Sequence, residues 1–294
     1  MLWLFFALLA PLLWAVTNLI DDDLILHRLK KPLVIVGITG LFAGIPALCI
    51  ILSGHFTFPS WTIFAFGILT GVVSLIAYYP YYRALETTNP ESAILFWNLA
   101  PVIVTLFAFV FLNERLSLIK YVAIGLIIVS TIVAESSHVE FKPHGNAKAL
   151  RWMILASVFT ATQDILEKKL YNATGPANGI ALICIGSFIT GLIFLFPAKR
   201  RREFIHAFQK NGALLSLNHS LDIGAVICSN IAIAFGTVSI VAALQGIQAL
   251  FVIGLAWVAT RLFTKKQFRL AKAPPFSRMI LAVLLAIVGL WVIS

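Results

Sequence analysis

Long apolar runs alternate with short polar breaks along nearly the whole chain. Each run is about 20 residues long, the length of a membrane-spanning helix, and the breaks contain charged residues, proline or glycine. The pattern predicts an all-α integral membrane protein. We predict ten spans, near residues 2–20, 33–53, 61–83, 91–112, 117–134, 150–168, 178–197, 212–235, 238–260 and 277–294. The break at Gly236-Thr237 is the weakest, and a nine-span chain without it is the alternative.

The composition agrees with this pattern and excludes other classes of protein. Of the 294 residues, 60% are hydrophobic and 12% are charged, whereas soluble domains carry about 25% charged residues. The spans leave no room for a soluble catalytic domain. The net charge of +10 would suggest a nucleic-acid partner for a soluble chain. Here the basic residues lie in loops and at helix ends, next to anionic lipid, so we expect no nucleic acid.

The two halves of the chain share a pattern of polar positions. Each half has an aromatic residue, an amide and an acid at positions i, i+4 and i+8 of one helix. They are Trp14, Asn18 and Asp22 in the first half and Phe159, Gln163 and Glu167 in the second. Five spans per half is an odd number, so the second half must enter the membrane inverted. We predict two inverted five-helix repeats, at residues 1–135 and 150–294, joined by a connecting loop at 136–149.

Short motifs in the first half resemble those of a known transporter family. They are Leu13-Trp14-Ala15 followed by Asn18, Tyr81-Tyr82-Arg83-Ala84-Leu85, Leu99-Ala100-Pro101, Asn113-Glu114-Arg115-Leu116 and Gly125. In this order and spacing they resemble the EamA type of the drug/metabolite transporter superfamily. The second half departs from them, with Phe251 where Pro101 maps and Thr264 where Glu114 maps. The resemblance implies a ten-helix carrier that moves small metabolites by alternating access through a central site.

The distribution of basic residues predicts the orientation in the membrane. The loops that follow the odd-numbered spans hold 18 of the 22 lysines and arginines. The positive-inside rule places these loops in the cytoplasm and both termini outside. The family resemblance implies the opposite orientation, with both termini in the cytoplasm, and we follow the charge count.

The eighth span contains the strongest candidate for chemistry. Asp222 lies near its middle, where a charged side chain costs about 2.5–3.5 kcal/mol to insert. Asn218 and His219 precede it by four and three residues, so all three can share a helix face, and His219 can pair with Asp222. We interpret Asp222 as a proton-coupling or cation-binding carboxyl. The alternatives are a hydrogen-bonded cluster that packs two helices, and a metal site, for which one helix supplies too few ligands.

Further polar and aromatic residues are candidates for the substrate path. They are the amides Asn18, Asn98, Gln163 and Gln248, the acid Glu167, and the aromatic residues Trp14 and Tyr82. An amide within a span needs a partner on another helix or a ligand, so packing between helices is the alternative role. The alternative for the acid is a solvated helix end, and for the rings it is the membrane–water interface.

The remaining acids receive a structural interpretation. Of the acids at 21–23, we place only Asp22 on the face of Trp14 and expect all three to be mostly solvated. We expect Glu114 to form an ion pair with Arg115 at a helix end.

A substrate carrier accounts for these features together. The chain has no Gly-x-Ser-x-Gly or His-Glu-x-x-His motif, so an intramembrane enzyme is less favoured and we expect no catalytic residue, cofactor or metal. We predict a secondary active transporter of an amino acid, an amine or a similar amphipathic solute, with protons as the hypothetical coupling ion. A passive channel or membrane scaffold is the alternative. The expected partners are the substrate, protons and lipid, and the expected location is the bacterial inner membrane.

Overall fold

The chain is mainly helical in the part that the computed structural model describes, which is residues 2–88, 93, 96, 97, 99–135, 143–262 and 276–293. No strand occurs among these residues. The helices are α1 (Leu2–Asp23), α2 (Pro32–Leu52), α3 (Trp61–Leu85), α4 (Leu99–Phe111), α5 (Leu118–Glu135), α6 (Pro143–Thr174), α7 (Pro176–Leu195), α8 (Ala198–Phe235), α9 (Val238–Gln245), α10 (Gln248–Leu262) and α11 (Phe276–Ile293).

The helices agree with a multi-pass membrane protein. Among the described residues, six segments are long and apolar enough to cross a membrane, namely α1, α2, α3, α7, α8 and the segment Val238–Leu255. That last segment spans α9 and the start of α10, so these two helices together form the ninth predicted span. The all-α membrane fold with about ten spans is confirmed.

The helix ends follow local sequence signals. α2 and α7 begin at Pro32 and Pro176, because proline lacks the N–H that a first turn leaves without a partner. α8 ends at Phe235, and Gly236 and Thr237 separate it from α9. The weakest predicted boundary is therefore a real break, which favours ten spans over nine. α6 begins at Pro143 rather than near residue 150, so it includes part of the predicted connecting loop.

The contacts between helices have a two-fold pattern. α2 packs against α7, and α5 packs against α11. The two members of each pair are the second helices and the last helices of the two halves. α1 packs against α8, and α3 packs against α6. If α1 is equivalent to α6 and α3 to α8, exchanging the two halves turns each of these contacts into the other. Such a pattern is expected of inverted repeats. The division at residues 1–135, 136–149 and 150–294 stays a prediction.

Glycines bring α7 close to both of its first-half neighbours. A Cβ atom on Gly40 of α2 would lie 2.7 Å from the Cα of Gly191 on α7. A Cβ on Gly71 of α3 would lie 2.1 Å from the carbonyl oxygen of Ile183, and one on Gly186 would lie 2.3 Å from that of Ile68. These helices therefore touch backbone to backbone, as small residues permit within membranes.

Candidate functional site

A central cavity of about 140 Å³ lies between the two halves and is lined by both. Four acids reach it, namely Asp21, Asp164, Glu167 and Asp222. Four aromatic residues also line it, namely Trp14, Tyr78, Tyr81 and Trp97. No lysine, arginine or histidine occurs among the described lining residues. The cavity is therefore acidic and aromatic, with apolar side chains between the polar groups.

Asp222 joins three helices in the wall of the cavity. The indole Nε1 of Trp14 on α1 donates to its Oδ1 at 3.0 Å, and the hydroxyl of Tyr78 on α3 donates to the same oxygen at 3.1 Å. Asp222 is 6% exposed. Both of these donors are neutral, so they orient the carboxyl group without neutralising its charge.

Asp21 is a second carboxyl group in the cavity wall, near Asp222. The Asn218 amide donates to its Oδ1 at 2.8 Å, and the Tyr82 hydroxyl donates to the same oxygen at 3.3 Å. The expectation that Asp21 is solvated is wrong, because α1 continues to Asp23. At about 100° per residue, a separation of seven residues returns Asp21 to within about 20° of Trp14, whereas Asp22 lies about 80° away.

The first-half acids at 21 and 22 are both buried. Asp22 is 4% exposed, so the expectation of solvation is wrong for this residue as well. Asp23 is half-buried and pairs with Arg28, at the end of the short π-helix Leu24–Arg28 that follows α1.

Glu167 and Asp164 are two further carboxyl groups in the cavity wall, both on α6. Gln163 Nε2 donates to Glu167 Oε1 at 2.9 Å, and the Ser74 hydroxyl of α3 donates to the same oxygen at 3.4 Å. Glu167 is 1% exposed and Asp164 is 3% exposed. The alternative of a solvated helix end does not hold for Glu167, and Asp164 is buried on the same helix.

The structure brings together most of the predicted site residues. Six of the ten line the cavity, namely Trp14, Asn18, Gln163, Glu167, Asp222 and Gln248. Asn218 and Tyr82 lie directly behind it, on Asp21. Asn98 lies outside the described residues. Their roles in transport stay predictions.

His219 faces away from Asp222. Its Nδ1 lies 3.3 Å from the hydroxyl oxygen of Thr39, and its ring packs against Phe42 with 5.3 Å between centroids. A separation of three residues turns His219 about 60° from Asp222, which directs it to α2 rather than to the cavity. The structure therefore shows no direct pairing of His219 with Asp222.

The tyrosines near the end of α3 belong to the site, although their place at a span end suggested the membrane interface. Tyr81 donates to Asn18 Oδ1 at 2.6 Å. A matching bond occurs in the second half, where Tyr171 on α6 donates to Asn230 Oδ1 on α8 at 2.5 Å. The signal that could have found Tyr78 and Tyr81 is their spacing of three residues on one face.

Glu114 lies outside the cavity and caps another helix. Its carboxylate accepts from the backbone N–H of Val238 at 3.0 Å, the backbone N–H of Ser239 at 3.2 Å and the Ser239 hydroxyl at 2.9 Å. The expected ion pair with Arg115 is wrong, because the carboxylate is occupied at the N-terminus of α9. The sequence separation of over a hundred residues hid this contact.

Lys168 binds the end of α8, on the other side of the break at Gly236-Thr237 from Glu114. Its ammonium group donates to three carbonyl oxygens, those of Ile233, Ala234 and Gly236, at 2.8 to 3.1 Å. A cation at a helix C-terminus is favoured by the helix dipole. Lys168 therefore points to the end of α8 rather than to the neighbouring Glu167.

Comparisons with known proteins agree with this geometry. Residues 1–135 match the model of the EamA-like transporter family, which belongs to the drug/metabolite transporter superfamily. The resemblance inferred from the sequence motifs is thereby confirmed. One solved structure, described only as "Crystal structure of protein", covers 99% of this chain and 94% of its own, with a TM-score of 0.70 and 17% identity. At this identity it supports the fold alone. No curated protein matches the chain in sequence.

Proposed function

We propose that this integral multi-pass membrane protein, whose first 135 residues match the EamA-like transporter family, is a secondary carrier of a small amphipathic solute with an ammonium group. The family supports membrane transport in general and consists of transporters rather than enzymes. The substrate class and alternating access are our proposal. The observation that carries it is the acidic, aromatic cavity with no basic side chain among its described lining residues. We further propose the bacterial inner membrane as its location.

The charges of the cavity favour a cationic group on the substrate. Asp222 and Asp21 receive hydrogen bonds from neutral donors in the contacts described above. A buried carboxylate is stable only when a cation or a proton neutralises it. A substrate ammonium group would supply both charge and N–H donors at this point, and the rings of Trp14 and Tyr78 beside it favour a cation.

The rest of the lining suits an amphipathic solute. Apolar side chains such as Leu75, Met153 and Ile223 can hold a hydrocarbon part. The side-chain amides of Asn18, Gln163, Gln245 and Gln248 line the same space and can bond to a carboxyl or hydroxyl group. Amines and amino acids therefore fit better than anions, since the described lining offers an anion amide and hydroxyl donors but no cation.

Three compounds with the same ring and different charges test the substrate class. They are phenethylamine, phenylalanine and phenylacetate, each added to the purified protein in detergent. A ligand that binds the folded state raises the unfolding temperature, so we expect phenethylamine and phenylalanine to raise it and phenylacetate to have no effect. Stabilisation by phenylacetate alone, or by none of the three, would contradict the proposal.

A pair of variants assigns the effect to the cavity. Asp222→Asn keeps the size and polarity of the side chain but removes the charge, so it should abolish stabilisation by phenethylamine. Asp23→Asn is the matched control, because Asp23 pairs with Arg28 outside the cavity, and it should respond like the wild type. Accumulation of phenylalanine against its gradient in proteoliposomes would distinguish a carrier from a passive channel.

A further inference from the structure

One carboxylate oxygen in the cavity wall has no partner. Glu167 Oε1 accepts from Gln163 and Ser74, whereas Oε2 is buried and receives no hydrogen bond within the described structure. A buried acceptor without a partner loses its hydration and gains nothing in return. The arrangement around Glu167 is therefore incomplete as it stands.

The burial of Glu167 Oε2 limits the size of any partner that could bind to it. Protein atoms cover Oε2 almost completely, so a solute has no access to it. A metal ion needs several oxygen ligands around it, and no group of three or more potential metal ligands occurs among the described residues. A proton needs neither space nor a coordination shell.

We propose that Glu167 and Asp164 form a proton-binding carboxyl pair, distinct from Asp21 and Asp222, which we propose bind the substrate. The two acids are three residues apart on α6, so their side chains lie on neighbouring positions of one helix face. Two buried carboxylates at this spacing repel each other, and one proton on the pair relieves the repulsion. The Glu167 carboxylate takes up the proton and becomes a neutral acid, which changes the charge of the pair from −2 to −1. Its release to the other side of the membrane reverses the step.

The surroundings leave this pair without a permanent cation. Lys168, the nearest basic residue in sequence, donates to the carbonyl oxygens at the end of α8. α6 packs against α3, α4, α7, α8 and α9. The other titratable groups that line the cavity are Tyr78 and Tyr81 on α3, Cys184 on α7, Asp222 on α8 and Asp21 on α1. On α6 itself, Tyr171 donates to Asn230. These helices also carry basic residues, but Arg83 of α3 pairs with Glu86, Lys169 of α6 lies over the ring of Phe111, and His219 of α8 contacts Thr39. The remaining described basic residues of these helices also lie outside the lining of the cavity, namely Lys148, Arg151, Lys199, Arg200, Arg201, Arg202, His206 and Lys210. No described basic side chain therefore lines the cavity with the pair, and a proton is the remaining means of neutralising it.

Infrared difference spectroscopy of the purified protein tests proton binding without any substrate. We expect the wild type to show the C=O stretching band of a protonated carboxyl that titrates with pH and shifts in D2O. Glu167→Gln should lose this band, and Asp164→Asn should displace its titration. Glu203→Gln is the control, because Glu203 pairs with Lys31 away from the cavity, and it should leave the band unchanged. The band should also persist in Asp222→Asn.

The outcome that overturns the proposal is a Glu167→Gln spectrum identical to that of the wild type. If Glu167→Gln does not fold, as judged by size-exclusion chromatography, Asp164→Asn decides by the same criterion, and an unchanged titration overturns the proposal.

The coupling role of the pair rests on the proposed carrier function, and proteoliposomes test it with phenylalanine as the probe. Glu167→Gln should lose uptake driven by a pH gradient and retain exchange of phenylalanine between the two sides. Retained pH-driven uptake would overturn the coupling role. If the wild type moves no phenylalanine while Glu167→Gln lacks the infrared band, the carrier proposal for this solute class fails and the proton site stands.

Discussion

Replacing Glu114 with alanine should destabilise the fold at the break between α8 and α9. The carboxylate accepts three hydrogen bonds from Val238 and Ser239, which are 0% and 1% exposed. Glu114→Ala leaves these donors, which belong to buried residues, without their acceptor. Loss of a helix cap costs about 0.5–2 kcal/mol, and a single hydrogen bond to a charged group is worth about 1.5–3 kcal/mol. Because these bonds form one unit, we expect a total loss of about 2–4 kcal/mol.

Two further variants show which property of Glu114 matters. Glu114→Gln keeps one carbonyl oxygen as an acceptor but removes the charge and the second acceptor, so we expect a loss of about 1–2 kcal/mol. Arg115→Ala removes the neighbouring cation, and we expect a change within about 0.5 kcal/mol. The two changes separate capping of α9 from an ion pair between adjacent residues.

Thermal unfolding of the purified protein in detergent measures these differences. The unfolding temperature should decrease from the wild type and Arg115→Ala, which should be nearly equal, to Glu114→Gln and then to Glu114→Ala. The reasoning is refuted if Arg115→Ala lowers the unfolding temperature as much as Glu114→Ala does, because an ion pair would then explain both.

Two other predictions concern packing and orientation. Gly71→Ala places a methyl group 2.1 Å from the carbonyl oxygen of Ile183 and should destabilise the protein by about 1–3 kcal/mol in the same assay. Gly125→Ala, where the added Cβ would have no neighbour within 4 Å beyond the local backbone of its own helix, should be neutral or stabilising by up to about 1 kcal/mol. Equal losses in both variants would show that the close approach is not responsible. A cysteine at Arg201 should react with a membrane-impermeant maleimide only after cells are opened, whereas one at the exposed His55 in the loop after α2 should react in intact cells. The reverse result would place both termini in the cytoplasm.

The spans could be predicted from the sequence because the membrane leaves few alternatives. A chain in hydrocarbon must satisfy its backbone hydrogen bonds within each segment, so apolar runs of the right length become helices. The face of Trp14 and Asn18, and the mid-span position of Asp222, followed from the same helical periodicity. These residues do line the cavity.

The partners of the polar residues could not be predicted, because they depend on rotation and on distant parts of the chain. Asp21 was misplaced because the predicted first span ended near residue 20, before the last turn of α1. His219 was misplaced because a shared helix face is broad enough to meet both α1 and α2. Glu114 and Lys168 bind backbone groups that carry no side-chain signal in the sequence.

Helix α7 is held on two sides by close contacts of backbone with backbone. Gly191 meets Gly40 of α2, and Gly186 meets the backbone of α3 at Ile68. Such contacts tolerate little sliding, because carbonyl oxygens and Cα atoms cannot move apart without a shift of the whole helix. α2, α3 and α7 therefore form a stiff frame, and any large movement of the protein has to be taken up by hinges elsewhere. The short break between α8 and α9 can serve as such a hinge. There the helix is interrupted, and the side chains of Lys168 and Glu114 bind the backbone groups at its two ends.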